Sequence, residues 1–273
     1  MGKFDGILIC TDLDGTLLRD DKSISRENLD AVEHFKREGG YFTFVTGRMP
    51  FFVSDIYNAV RPNAPIGCIN GGGLYDFTRG DYIWRAELST EAMELVRAVD
   101  TAVPGVGIQV NCFYKTYFSK ENETMVRFRA VTGLPNLVCH YDEVPEPVAK
   151  IIFGSEDEAE LLRVAELLRA HPLADRFDFI RSEHTLFEIL PKGVGKGTSV
   201  TRLAEHLGLD RRRTVAVGDY DNDVSMLTAA GLGVAVANAS PAAIAAADAV
   251  TVSNGEHAIA KVISDIESGA YAF

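Results

Sequence analysis

Long apolar runs, paired cysteines, zinc-type histidine motifs and surplus positive charge are all missing from this chain. Each absence narrows what it can be. No stretch approaches the roughly 20 consecutive apolar residues that a membrane-spanning helix needs. Residues 1–6 carry Lys3 and Asp5 but no signal-peptide pattern, and Gly6 stands where a myristoylation motif after Gly2 would need Ser or Thr. The four cysteines, Cys10, Cys68, Cys112 and Cys139, include no C-x-x-C pair. They read as reduced, mostly buried thiols of a cytoplasmic protein. Six histidines without an H-E-x-x-H argue against a zinc hydrolase. Lys and Arg number 27 against 39 Asp and Glu, a net charge of −12, so neither nucleic acid nor an anionic membrane is expected as partner. An anionic substrate would have to be drawn in locally, by a metal ion, a lysine or helix N-termini. Nothing in the sequence sets an oligomeric state.

What is present is a chain able to fold. Of its 273 residues 47% are hydrophobic and 24% charged, which supports a buried core and no disorder signature. That length suits a core domain with a modest insertion. Ile7 to Thr11 is a short apolar run of the kind a buried parallel strand requires. A helix-compatible stretch from Ser25 to Glu38 follows, stopped by Gly39-Gly40. Tyr41 to Val45 and Pro65 to Ile69 are two further β-rich runs with a helical stretch between them. The alternation predicts a doubly wound, Rossmann-like parallel α/β sheet. The rhythm changes after Asn70-Gly71-Gly72-Gly73, where Leu74 to Trp84 reads as a hairpin. Helices and β-like pieces then mix in an α+β pattern, until the first rhythm returns at Gly195. An inserted α+β domain is therefore expected at 84–188, with the core made of 1–83 and 189–273.

Three of the core strands end in polar clusters. They are Asp12-Leu13-Asp14-Gly15-Thr16, Thr46-Gly47-Arg48, and Gly218-Asp219-Tyr220-Asp221-Asn222-Asp223. The carboxyl ends of strands in an open parallel sheet line one edge, where ligands bind. Sequence-distant clusters would thus meet in one crevice. Their acids suit an oxygen-ligated hard cation such as Mg2+, which takes one or two carboxylates plus substrate phosphate. Asp12 and Asp219 could share the ion with the main-chain carbonyl of Asp14. An ionised carboxylate beside such a metal can attack phosphorus and form an aspartyl phosphate. Thr46, the Gly47 amide and a lysine could hold the phosphoryl oxygens. Blander roles exist for each element alone: Asp12 and Asp14 can cap a turn, and Asp221 or Asn222 can cap a helix. Lys196, after Gly193 and Gly195, tempts a P-loop reading. That reading fails, because Gly197 stands where Ser or Thr is needed and Leu190 where the first glycine should be.

Asp12-x-Asp14-Gly15-Thr16-Leu17, Thr46-Gly47-Arg48, Lys196 and Gly218-Asp219-x-x-Asn222-Asp223 resemble the four motifs of the haloacid dehalogenase superfamily. Asn70-Gly71 after the third strand, and an insertion between the second motif and Lys196, further resemble its Cof-type sugar-phosphatase branch. The resemblance spans essentially the whole chain and implies an Mg2+-dependent phosphatase acting on a small phosphorylated metabolite. It implies Asp12 as nucleophile and metal ligand. Asp14 would be general acid and then base, its carbonyl on the metal. The Leu13 amide, Thr46, Gly47, Lys196 and Asn222 would hold the phosphoryl group. Asp219 would complete the metal site, with Asp223, Arg48 and Asn70 in support. Asp14 disfavours dehalogenase activity, since members acting on haloacids lack an Asp there. The insertion would act as a cap that selects the substrate. Two alternatives stand beside this reading: a phosphomutase related to phosphomannomutase, and a silent phosphometabolite-binding module. Near the C-terminus Val236-Ala237-Asn238-Ala239 and Asn254-Gly255-Glu256-His257 depart from the branch pattern, so Asn238, Asn254 and His257 are expected to be helix caps or surface residues.

Overall fold

The computed structural model describes residues 2–271. The core segments read from the sequence begin at Met1 and end at Phe273. Met1, Ala272 and Phe273 lie outside the described residues. The chain forms two compact units, one built from residues up to Trp84 and from Gly195 onward, the other from Arg85–Val194. The sequence reading ended the insertion at 188, in the middle of the strand Leu186–Pro191. That strand is hydrogen-bonded to Val148–Gly154 on one side and Phe177–Glu183 on the other, and it carries the second unit on to Val194. No helix among the described residues is long and apolar enough to cross a membrane.

The first unit is a parallel α/β sheet. Its strands run in the order Ala249–Val250, Leu232–Ala235, Thr214–Gly218, Leu8–Thr11, Tyr41–Phe44, every neighbouring pair parallel. Leu8–Thr11 pairs on both edges and is buried at all four positions, which is why its sequence is apolar rather than alternating. The helix Arg26–Arg37 begins where Ser25 accepts from the Asn28 N–H at 3.2 Å and stops at Gly39, whose φ is +93°. The third strand forms where the sequence places it but takes a second set of partners. Ile66–Cys68 pairs antiparallel with Gly73–Asp76 in a separate three-stranded sheet, completed by Asp81–Arg85. It stays joined to the edge of the parallel sheet through the parallel Val45–Gly67 bridge, the Thr46 N–H donating to Gly67 O at 3.0 Å and Thr43 Oγ1 to Pro65 O at 2.8 Å. The hairpin read after residue 74 therefore belongs to this unit.

The second unit is an antiparallel sheet in the order Thr116–Lys120, Gly107–Cys112, Val148–Gly154, Leu186–Pro191, Phe177–Glu183. Helices Ala92–Ala102 and Glu158–Ala170 pack Leu95, Val96, Val99, Leu161, Val164 and Leu168 against Ile108, Val110, Ile151, Phe153 and Ile189. The alternate strand positions carry a buried ion pair, Lys150 Nζ at 2.9 Å from both Glu188 oxygens. The architecture is thus a parallel α/β core interrupted by an antiparallel α+β insertion.

Candidate active site

The strand order sets the clusters that follow Leu8–Thr11, Tyr41–Phe44 and Thr214–Gly218 side by side. The ladder continues just past the strand ends, with the Asp12 N–H donating to Val217 O at 2.8 Å and the Val45 N–H to Thr11 O at 2.8 Å. Asp12 is 6% exposed. Lys196, the first residue of the helix Lys196–Leu207, reaches it from a sequence distance of 184 residues, with Nζ 2.7 Å from Asp12 Oδ1 and 2.5 Å from Asp223 Oδ1. Burial on its own would lower the lysine's pKa, but the two carboxylates outweigh it and hold the ammonium protonated.

Asp12, Asp219 and Asp223 bring one carboxylate oxygen each within 4.8 Å of one another. Asp223 is already committed to protein donors. Its Oδ2 accepts from the Asp219 and Tyr220 N–H groups at 2.9 and 3.0 Å, and its Oδ1 from Lys196. Asp223, not Asp221 or Asn222, therefore caps this turn. The acceptors left for a cation are those of Asp12 and Asp219. Burial, then the Asp223 charge, pushes Asp219 up to about 6, while a hydrogen bond from Thr16 Oγ1 at 2.7 Å pulls the other way. Burial also raises Asp12 well above the carboxylate range despite Lys196. Three clustered acids against one lysine leave surplus negative charge on hard oxygen donors, and that donor set fits Mg2+. Gly15 is required here, since at φ +78° a side chain would be strained and its Cβ would run into the Asp219 carboxylate.

Asp14 lives under the opposite field. Arg48 grips it in a fork, Nε to Oδ2 at 2.9 Å and Nη2 to Oδ1 at 2.7 Å, and Lys22 Nζ adds a bond to Oδ1 at 2.8 Å. Burial would raise this carboxyl, but the Arg48 and Lys22 charges and hydrogen bonds outweigh it and hold Asp14 below the usual range. Thr46 sits beside this pair, its Oγ1 accepting from the Arg48 N–H at 3.2 Å and its carbonyl from the Asn70 N–H at 3.1 Å. Gly47 lies against the Asn70 side chain, and Asn70 Oδ1 accepts from Asn222 Nδ2 at 3.2 Å. Gly71, at φ +94°, passes so close to the Gly195 carbonyl that no Cβ fits, which seats this loop against the start of the Lys196 helix. Leu13 is fully buried, and its carbonyl accepts from the Leu18 N–H at 2.8 Å.

Asn238 lies at the surface, as expected, whereas Asn254 departs from its expected role. Asn238 donates through Nδ2 to Gly15 O at 2.8 Å and accepts from the Asn254 N–H at 2.9 Å. Asn254 is buried and donates through Nδ2 to Leu18 O at 3.0 Å and Asp20 Oδ1 at 3.2 Å. Both brace the backbone of the Asp12 loop, Asn238 from the exposed surface and Asn254 from a buried position. His257, in the left-handed region at φ +64°, does precede the helix Ala258–Glu267, without a side-chain cap bond. Lys22 was missed altogether. It lies in the polar stretch Asp20-Asp21-Lys22-Ser23, which carries no signal beyond a turn.

Similarity to known proteins points the same way as this geometry. The sequence model of the haloacid dehalogenase-like hydrolases matches residues 9–263. The Bacillus subtilis protein YxeH is 30% identical over 268 residues, covering 95% of this chain and 97% of its own. YitU of the same organism, named a 5-amino-6-(5-phospho-D-ribitylamino)uracil phosphatase, is 27% identical and covers 94% and 96%. The crystal structure of a haloacid dehalogenase-like hydrolase from Bacteroides thetaiotaomicron superposes with a TM-score of 0.82 at 26% identity, over 95% of this chain and 99% of that one. The chain belongs to the haloacid dehalogenase-like hydrolases, as a phosphoric monoester hydrolase with a Cof-type fold.

Proposed function

We propose that this protein hydrolyses small phosphorylated metabolites with Mg2+, through an aspartyl phosphate on Asp12. The observation that carries the reading is the buried Asp12 carboxylate, bonded to Lys196 and set beside Asp219. Asp12, Asp219 and the Asp14 carbonyl would hold the metal. When bound, it supplies the positive charge that lets a phosphate dianion approach a carboxylate.

The chain's own groups do the rest. Lys196 fixes Asp12 through Oδ1, which leaves Oδ2 to form the bond to phosphorus as the bond to the leaving oxygen breaks. The departing alcohol takes a proton from Asp14. The Leu13 amide, Thr46, Gly47, Lys196 and Asn222 hold the phosphoryl oxygens, where positioning and charge supply most of the rate. Asp14 then accepts a proton from water, the water oxygen bonds to phosphorus, and inorganic phosphate leaves Asp12 free. Arg48 and Lys22 keep Asp14 ionised in the resting protein, the form the second step needs. Asp14 must take up a proton before it can serve the first. The small organic phosphate in the name of YitU supports a metabolite as substrate. Four free cysteines, three of them buried, support a reducing, cytoplasmic setting.

A panel of phosphorylated metabolites assayed for phosphate release with Mg2+ tests the proposal. Asp12→Asn, nearly isosteric but a poor nucleophile, should abolish release on every active substrate. Substantial turnover in that variant, with contamination excluded, would remove Asp12 as nucleophile. No release from any phosphate ester by the unmodified protein would favour a silent binding module.

A further inference from the structure

We infer that Lys22 is a positioning residue for Asp14, closing a three-donor clamp with Arg48 that leaves one carboxylate oxygen open for proton transfer. The inference rests on the acid–base reading of Asp14 given above. A carboxylate offers about four lone-pair positions. Oδ1 of Asp14 accepts from both Arg48 Nη2 and Lys22 Nζ, whereas Oδ2 accepts from Arg48 Nε alone. The open position is therefore on Oδ2. Arg48 by itself would leave one position on each oxygen, so Lys22 makes the two unequal. In the proposed reaction the proton leaves from Oδ2 to the departing alcohol and returns there from water.

The turn that delivers Lys22 is itself held in place. The Lys22 N–H donates to Arg19 O and the Arg19 N–H to Ser23 O, both at 2.9 Å. Asp21 Oδ1 accepts from the Ser23 N–H and hydroxyl at 2.9 and 2.6 Å. Asn254 ties Leu18 and Asp20 at the root of the turn. Lys22 adopts φ +65°, a conformation that residues with side chains rarely take. Its side chain is 62% exposed, so core packing does not account for its placement.

The test is a double-mutant cycle of Lys22→Met and Asp14→Asn with Mg2+, read on an alkyl phosphate and on 4-nitrophenyl phosphate. The aryl ester keeps the Asp14→Asn baseline measurable, because its leaving group needs little protonation. Lys22→Met should lower kcat for the alkyl ester by roughly tenfold, a fraction of the ~10²–10⁴ that general acid–base catalysis supplies. KM should change less than twofold, and Lys22→Arg should restore most of the rate. With Asp14 already Asn, Lys22→Met should cost nothing further. The inference is overturned if Lys22→Met leaves kcat unchanged, alters KM alone, or costs as much without the Asp14 carboxylate as with it. Full turnover by Asp14→Asn would instead overturn the acid–base reading beneath it.

Discussion

Lys196→Met is the substitution whose consequence follows most directly from the geometry. The lysine side chain is 1% exposed, and the side chains of its two partners, Asp12 and Asp223, are 9% and 0% exposed. Methionine keeps the volume but strands two buried carboxylates without their shared cation. Removing one partner of a buried ion pair costs about 3–5 kcal/mol, and one cation serving two anions argues for the upper end. Against a total stability of roughly 5–15 kcal/mol that is a large loss, on the order of 10 °C in Tm for a chain of this size. The single tryptophan reports on the right unit. Trp84 lies in the core, its ring 3.9 Å beneath the Arg202 guanidinium. Urea unfolding followed by its fluorescence, at pH 7.5 and 5.5 without metal, gives the measurement. The stability loss should be full at pH 7.5 and smaller at pH 5.5, where a proton can replace the missing cation on the already raised Asp12. Asp12→Asn added to Lys196→Met should recover part of it by removing one charge. A loss below about 1 kcal/mol at pH 7.5, or an equal loss at both pH values, would refute the claim that Lys196 compensates this cluster.

Three further outcomes can be checked. Asp14→Asn should reduce kcat about 10²–10⁴-fold on alkyl phosphates and less on aryl phosphates; equal losses on both would contradict an acid role. Asp219, pushed up to about 6, favours its protonated form in the fold, so the stability it contributes is present below about pH 4 and is lost as pH rises through 6. Mg2+ should therefore raise Tm above pH 6 and do little near pH 4.5, and a Tm gain that is constant across that range would reject Asp219 as a ligand. Exchanging Arg85–Val194 for the insertion of a relative with different specificity should move the substrate ranking and keep the dependence on Mg2+ and Asp12. A folded chimera that keeps this protein's ranking would show that specificity resides in the core.

The elements most visible in the sequence are those written by local chemistry. Ser25 and Gly39 mark the ends of one helix, and the all-apolar Ile7–Cys10 run marks a strand buried on both edges. Asp12, Asp219 and Lys196 were visible for a related reason: each is a charge directly after a strand or at the start of a helix, where a folded core has no other use for it. The third strand was harder. Ile66–Cys68 is as apolar as a central strand, and nothing local shows that it both bridges in parallel to Val45 and pairs antiparallel with Gly73–Asp76. Lys22, Asn238 and Asn254 were not legible as site residues. The two asparagines act on backbone carbonyls 223 and 236 residues away, and no local pattern encodes such a bond. Lys22 depends on a left-handed turn that only the folded chain displays.

In the proposed mechanism a single loop offers both a nucleophile and a proton carrier, Asp12 and Asp14, two residues apart. Burial pushes both carboxyls up, so burial cannot distinguish them. Their neighbours do. Asp14 faces Arg48 and Lys22, which overcome its burial and leave it ionised. Asp12 faces Lys196 but also Asp223, Asp219 and Asp14, and the balance leaves it raised. A nucleophilic carboxylate must be ionised, so within this protein alone Asp12 carries a charge deficit that Lys196 does not meet. Asp219, raised by the same cluster, carries the rest. A divalent cation drawn to those two oxygens would remove both deficits at once. In the proposed mechanism the need for Mg2+ follows from that charge imbalance, and a variant that neutralises Asp223 should weaken it. Asp223→Asn should lower the Asp12 and Asp219 titrations in the metal-free protein, raise the Mg2+ concentration needed for half-maximal turnover, and leave Asp14 unaffected. Unchanged Mg2+ demand in that variant would refute this origin of the proposed metal dependence.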